Sequence, residues 1–171
     1  MLLTKEDYIL FKYLLGLTLL STSVLSYAEE YRVPNFNDLS KARLSSLECL
    51  AVNAYHESRS QSDIANMFVI ASVLNRVKDR RYPNDICKVV FQKSQYSWTS
   101  DGLSDKISNS KQYKRLYKLV EKFILNREVM DSLSQGIDHY HTTSISPYWA
   151  ESDKMKYVNT VDDHMFYKWI K

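Results

Sequence analysis

The stretch "IANMFVIASVLNRV", residues 64–77, is apolar on almost every side. A helix without a polar face must be surrounded by the rest of its domain. The stretch therefore reads as a central buried helix, Ile64 to about Val77. Asp63 stands where a cap would receive the first free backbone N–H groups. Arg80-Arg81-Tyr82-Pro83 stops the run, because proline disfavours helix at the residue before it. Asn75 and Arg76 put polar groups at the end of this buried element. The chain has 171 residues, enough for one domain with a real core. Its three glycines and three prolines are too few for a many-turned all-β design. The fold class expected is mainly α, with a minor β or irregular C-terminal region.

Other helices can be placed around that centre. Ser45-Ser46-Leu47-Glu48 is a capping box ahead of an apolar run. In the helix that follows, Leu47, Leu50, Ala51, Ala54 and Tyr55 share one stripe. Glu57 comes seven residues after Leu50, nearly the same angular position two turns on. A carboxylate thus falls on or beside the apolar face, near the helix end. "ICKVVFQ", Ile86 to Gln92, fits either helix or strand, and the Ser-rich residues 93–110 read as a loop. Asn109 or Ser110 can cap a third helix, with Tyr113, Leu116, Tyr117, Val120, Phe123 and Ile124 at helical spacing. "REVMDSL" gives one more short helix before Gly136. The last 35 residues, rich in His, Tyr and Trp, have no clear periodicity.

Residues 1–28 stand apart. Tyr8 to Ala28 is apolar except for Lys12 and a few hydroxyls, and Ser26-Tyr27-Ala28 puts small residues where a signal peptidase reads. The segment reads as a signal peptide or an uncleaved membrane anchor, just long enough to cross ~30 Å. Both readings export the domain to the periplasm or cell envelope, with the membrane touched only through this segment. A polar linker, 29–44, and a domain at 45–171 follow. Lys5 and Lys12 cancel Glu6 and Asp7, so the net charge of +3 belongs to the rest, a mild bias towards anionic partners. In an exported chain, Cys49 and Cys87 read either as a disulfide or as two buried thiols.

Glu57 is the first chemical candidate. Partial desolvation raises a carboxyl pKa, as a general acid near neutral pH requires. The structural alternative is an ion pair with Arg59 or Arg76. His56-Glu57 does not complete a zinc-protease motif, because position 60 is Ser60 where a second histidine is needed. His139, His141 and His164 with Asp162 or Asp163 form a looser set of potential metal ligands. Gln95-Tyr96-Ser97-Trp98 and Pro147-Tyr148-Trp149 join rings with amide and hydroxyl groups, suited to sugars or simply to packing. Basic residues are not clustered with these rings, which argues against nucleic acid. There is no Walker loop, dinucleotide glycine fingerprint or Gly-x-Ser-x-Gly.

Taken together, "CLAVNAYHESR", "IANMFVIASVLNRVKDRRYPNDICKVVFQKSQYSW", "PYW" and "DDHMFY" resemble the SleB-type cell wall hydrolases across about residues 47–167. The resemblance implies a small, mostly helical, lysozyme-like domain that cuts peptidoglycan glycan strands, commonly as a lytic transglycosylase. It makes Glu57 the essential acid and implies no metal or organic cofactor. It strengthens the Cys49–Cys87 disulfide. Arg59, Asn75, Gln95, Tyr96, Ser97 and Trp149 are the supporting candidates for substrate binding, and the domain is expected to act as a monomer. Rival readings are a hydrolytic muramidase or glucosaminidase, a zinc amidase, and a non-enzymatic wall-binding protein. One departure stands out: the family continues from the arginine with glycine and a second acid, whereas this chain has Ser60-Gln61.

Overall fold

The computed structural model describes residues 44–170. The expectations for 1–28, and for the linker up to residue 43, lie outside these described residues. Five α-helices come first: α1 (Ser46–Ser58), α2 (Asp63–Lys78), α3 (Ile86–Val90), α4 (Ser110–Leu125) and α5 (Arg127–Ser134). Three short strands follow: β1 (His139–Thr142), β2 (Met155–Val161) and β3 (His164–Trp169). Single 3-10 turns at Ser97–Thr99 and Tyr148–Glu151 interrupt the longer loops.

Helix α1 starts at the capping box. Ser45 Oγ accepts from Glu48 N at 3.2 Å, and Ser45 N donates to Glu48 Oε2 at 2.7 Å. The expected single stripe widens: Cys49, Leu50, Ala51, Val52, Asn53, Ala54 and Tyr55 are all buried. Two helices, α1 and α2, therefore share the centre rather than α2 alone. In α2, Ala65, Val69, Ile70, Ala71, Val73 and Leu74 are buried as its all-round apolar pattern requires. Its cap is Ser62, whose side chain accepts from Ala65 N, and not Asp63, which is the first helical residue. Asn109 caps α4, with its side chain accepting from Gln112 N.

The run at Ile86 resolves as helix. Asp85 caps it, and a Cys49–Cys87 disulfide ties this short α3 to α1. The buried Asn66 organises the turn between α1 and α2. It accepts from Ser58 Oγ at 2.9 Å and donates to the carbonyls of Gln61 and Ser62. That turn fixes where the end of α1, with Glu57 and Arg59, points.

The C-terminal region without clear periodicity is an antiparallel sheet, ordered β1-β3-β2. Tyr140 pairs with Phe166 and Thr142 with His164, so Tyr140, Phe166 and His164 share one face. Phe166 is fully buried and meets Phe68 of α2 edge-on at 5.2 Å. That face of the sheet is packed on the helices. On the other face, Trp149 covers His139, His141 and Tyr167 at ring distances of 5.3 to 5.6 Å.

Candidate active site

A cleft of about 580 Å³ lies between the end of α1, the loop around Ser97 to Asp105, and the sheet. Glu57 lines it, together with Arg59, Trp98, Tyr140, Trp149 and His164. The carboxyl group is half-buried. Tyr140 Oη donates to Glu57 Oε2 at 2.9 Å across the helix–sheet junction. Burial pushes Glu57 above the usual carboxylate range; the Tyr140 bond and the Arg76 charge pull back part of that rise. Burial and the neighbouring Glu57 drive the Tyr140 phenol far above its ordinary value, so it remains a donor.

Arg76 sits behind this pair. Its side chain is buried, and Nε donates to the Asp138 carbonyl at 2.7 Å. The guanidinium lies over the rings of Tyr96 at 5.3 Å and Tyr82 at 5.5 Å. Asp138 itself is buried, which opposes its charge. Bonds from the His139 ring, Trp169 N and Arg81 outweigh that and hold it below the usual carboxylate range. On the α1 side, Trp98 stacks on His56 at 4.5 Å and donates from Nε1 to the buried Asn53 at 3.1 Å. Burial lowers the pKa of His56, favouring its neutral form.

Of the sequence candidates, Glu57, Arg59, Ser97 and Trp149 meet on the cleft wall. Arg59 is held there by a bond from Nη1 to the Tyr55 carbonyl and by its place over the Tyr55 ring. Three candidates, Asn75, Gln95 and Tyr96, are not on that wall. Asn75 donates to the Ile137 carbonyl at 2.8 Å and so fastens α2 to the segment before the sheet. Tyr96 is only 3% exposed, with its ring against Arg76. Gln95 lies in the turn before it, its backbone N–H bonded to Gln92.

The histidines are divided between the two faces of the sheet, although His141 and His164 both line the cleft. His139 bonds to Asp138, and His141 bonds to Tyr167 Oη at 3.1 Å on the outer face of the sheet. His164 lies on the inner face. Among the described residues no three His, Cys, Asp or Glu side chains converge as metal ligands. Sequence reasoning missed Tyr140 as the partner of Glu57. The signal was the alternation in "HYHT", which turns Tyr140 away from both flanking histidines.

Gln61 is off the cleft wall. Gln61 Nε2 donates to Asp163 Oδ2 at 3.1 Å, and Asp163 N donates back to Gln61 Oε1 at 3.3 Å. Two other acids do reach the cleft, Asp101 and Asp105. Burial and the neighbouring Asp101 raise the pKa of Asp105.

A half-dry carboxyl group, held by a phenol on the wall of an aromatic-lined groove, defines an acid-bearing polar cleft on a mainly helical domain. The chain belongs to the cell wall hydrolase family, whose match spans residues 60–167. That match begins three residues after Glu57 and contains Tyr140, Trp149 and His164. Two solved structures are similar in fold. The catalytic domain of the Bacillus cereus SleB protein is 22% identical with a TM-score of 0.54, covering 81% of this chain and 99% of that one. The catalytic domain of the germination-specific lytic transglycosylase SleB from Bacillus anthracis is 20% identical with a TM-score of 0.56, covering 80% and 100%. No curated protein matches the chain.

Proposed function

We propose that this protein degrades peptidoglycan by cutting the β-1,4 bonds of its glycan strands as a lytic transglycosylase, with Glu57 as the acid. The observation that carries this reading is Glu57 itself: a carboxyl group made reluctant to ionise by burial, on the wall of a cleft sized for sugars. Membership of the cell wall hydrolase family supports the substrate class. In the proposed step the Glu57 proton passes to the glycosidic oxygen as the C1–O bond breaks. The 6-hydroxyl of the same sugar then bonds to C1, and its proton returns to Glu57. The ring closure needs no second carboxylate, unlike ordinary glycosidases. Arg59, Ser97 and Trp149 are the wall residues available to hold the strand. The export expected for residues 1–28 suits a substrate outside the cytoplasmic membrane.

One observation favours a second reading. Asp105 also lines the cleft, and as a base it would activate water for hydrolysis. Digestion of purified peptidoglycan followed by mass spectrometry decides between them. Anhydro ends are expected; reducing ends with an added water would replace transglycosylation by hydrolysis. Glu57→Gln is expected to abolish fragment release while the protein stays folded. Lysis by that variant at the wild-type rate would remove Glu57 from the reaction.

A further inference from the structure

His164 is only 4% exposed, yet it lines the cleft. It sits at the start of β3, beside the Asp162-Asp163 turn and opposite Thr142. Its ring meets the Tyr140 ring edge-on at 5.5 Å, and Tyr140 holds Glu57. The buried Nδ1 has no hydrogen-bond partner. The other ring nitrogen, Nε2, is the one available to the cleft that the ring lines.

The protonation state follows from what surrounds the ring. Burial favours neutral imidazole; His141 acts in the same direction, and Asp162 and Asp163 oppose it. Tyr140, the remaining titratable neighbour, stays a neutral phenol. A neutral imidazole carries one N–H. Among backbone groups, a buried N–H without an acceptor is rarer than a carbonyl short of a donor, and the same preference is extended to the ring. The hydrogen therefore belongs on Nε2, and the cleft meets a fixed donor. A sugar hydroxyl can donate or accept and would not require this. A carbonyl oxygen, which only accepts, does.

We propose that His164 is a substrate-contacting specificity residue, donating from Nε2 to the acetamido carbonyl of an N-acetylated sugar bound next to Glu57. The proposal rests on the glycan-cutting reading above. An N-deacetylated sugar presents an ammonium group, itself only a donor, and meets the imidazole donor to donor. Loss of the acetyl group thus removes one bond and leaves a buried N–H facing a charge.

The test crosses enzyme and substrate variants. Fragment release is measured as kcat/KM on purified N-acetylated peptidoglycan and on the same material chemically N-deacetylated. Wild type should prefer the acetylated wall by about tenfold or more, the order expected for one unsatisfied buried donor. His164→Leu should lose about tenfold on acetylated wall and most of the preference, with its melting temperature close to wild type. His164→Gln, whose amide reaches the Nε2 position with an N–H, should keep both within about threefold. Unchanged preference in His164→Leu would overturn the proposal. So would equal losses in the Leu and Gln variants, which mark a purely structural role. If the Leu variant fails to fold, the Gln variant decides alone: retained preference supports the donor and lost preference overturns it. Wild type inert on both walls would instead bring down the glycan-cutting reading and this proposal with it.

Discussion

Glu57 holds its proton more tightly in the folded protein than in the unfolded chain, because burial penalises the carboxylate. Below the ordinary carboxylate pKa both states are protonated and the site costs no stability. As pH rises from there through the raised folded value, the unfolded chain ionises first, so stability falls across that window. Glu57→Gln removes the effect. The variant should melt at a higher temperature than wild type at pH 7, with the gap closing towards about pH 4. Equal melting at both pH values would mean that Glu57 is not held dry. Tyr140 acts the other way, stabilising the charged carboxylate through its hydroxyl. Tyr140→Phe should therefore raise the Glu57 pKa further. An acid catalyst is active when protonated, so the loss of activity with rising pH should move to higher pH in that variant. The kcat/KM profile reads this directly, and an unmoved limb would dissociate Tyr140 from the Glu57 proton.

Among the elements, α3 is the one least able to stand alone. It has five residues, far fewer than an isolated helix needs, and depends on its cap, its buried valines and the bridge to α1. The bridge closes a loop spanning a sequence separation of 38, worth about 3–4 kcal/mol on a chain-entropy count. Replacing both cysteines by alanine should lower unfolding stability by about that amount in denaturant titration, with activity retained at low temperature. A loss below about 1 kcal/mol would show that packing of Val89 and Val90 already holds α3. Elements with strong local signals were legible in the sequence: the capping box of α1, the apolar run of α2 and the spaced rings of α4. The sheet was not. Its strands are short, β2 is mostly exposed, and a bulge at Tyr157–Asn159 breaks the alternation that would mark it. The candidate site followed the same division. Glu57 and Arg59 lie on or just past a legible helix, whereas Tyr140 and His164 reach the cleft only through strand register. Asn75 and Tyr96 lie off the cleft wall, because a polar group at the end of a buried helix, or a tyrosine in a loop, can equally be fastening the core.

At the scale of the whole domain, the helices and the sheet are joined at the mouth of the α1–α2 turn by side chains around residue 61. Asp162 accepts from Ser62 N at 2.7 Å, and Gln61 and Asp163 exchange two bonds. Asp162 occupies the left-handed region at φ 50°, a conformation aspartate tolerates better than most residues, and this turns the β2–β3 hairpin towards α2. The departure Ser60-Gln61 thus has a structural consequence in this chain. A glutamate at 61 could still accept from Asp163 N, but it would set two carboxylates face to face in place of an amide donor. Gln61→Glu should therefore destabilise the domain by up to about 1 kcal/mol, the scale of a surface charge contact. The loss should shrink in high salt and at acid pH, where the repulsion is screened or the carboxylates are protonated. Because Gln61 is off the cleft wall, fragment release by Gln61→Glu at low temperature should match wild type. A gain in activity instead would mean that an acid at 61 reaches the substrate, and that the contact with Asp163 gives way when the strand binds.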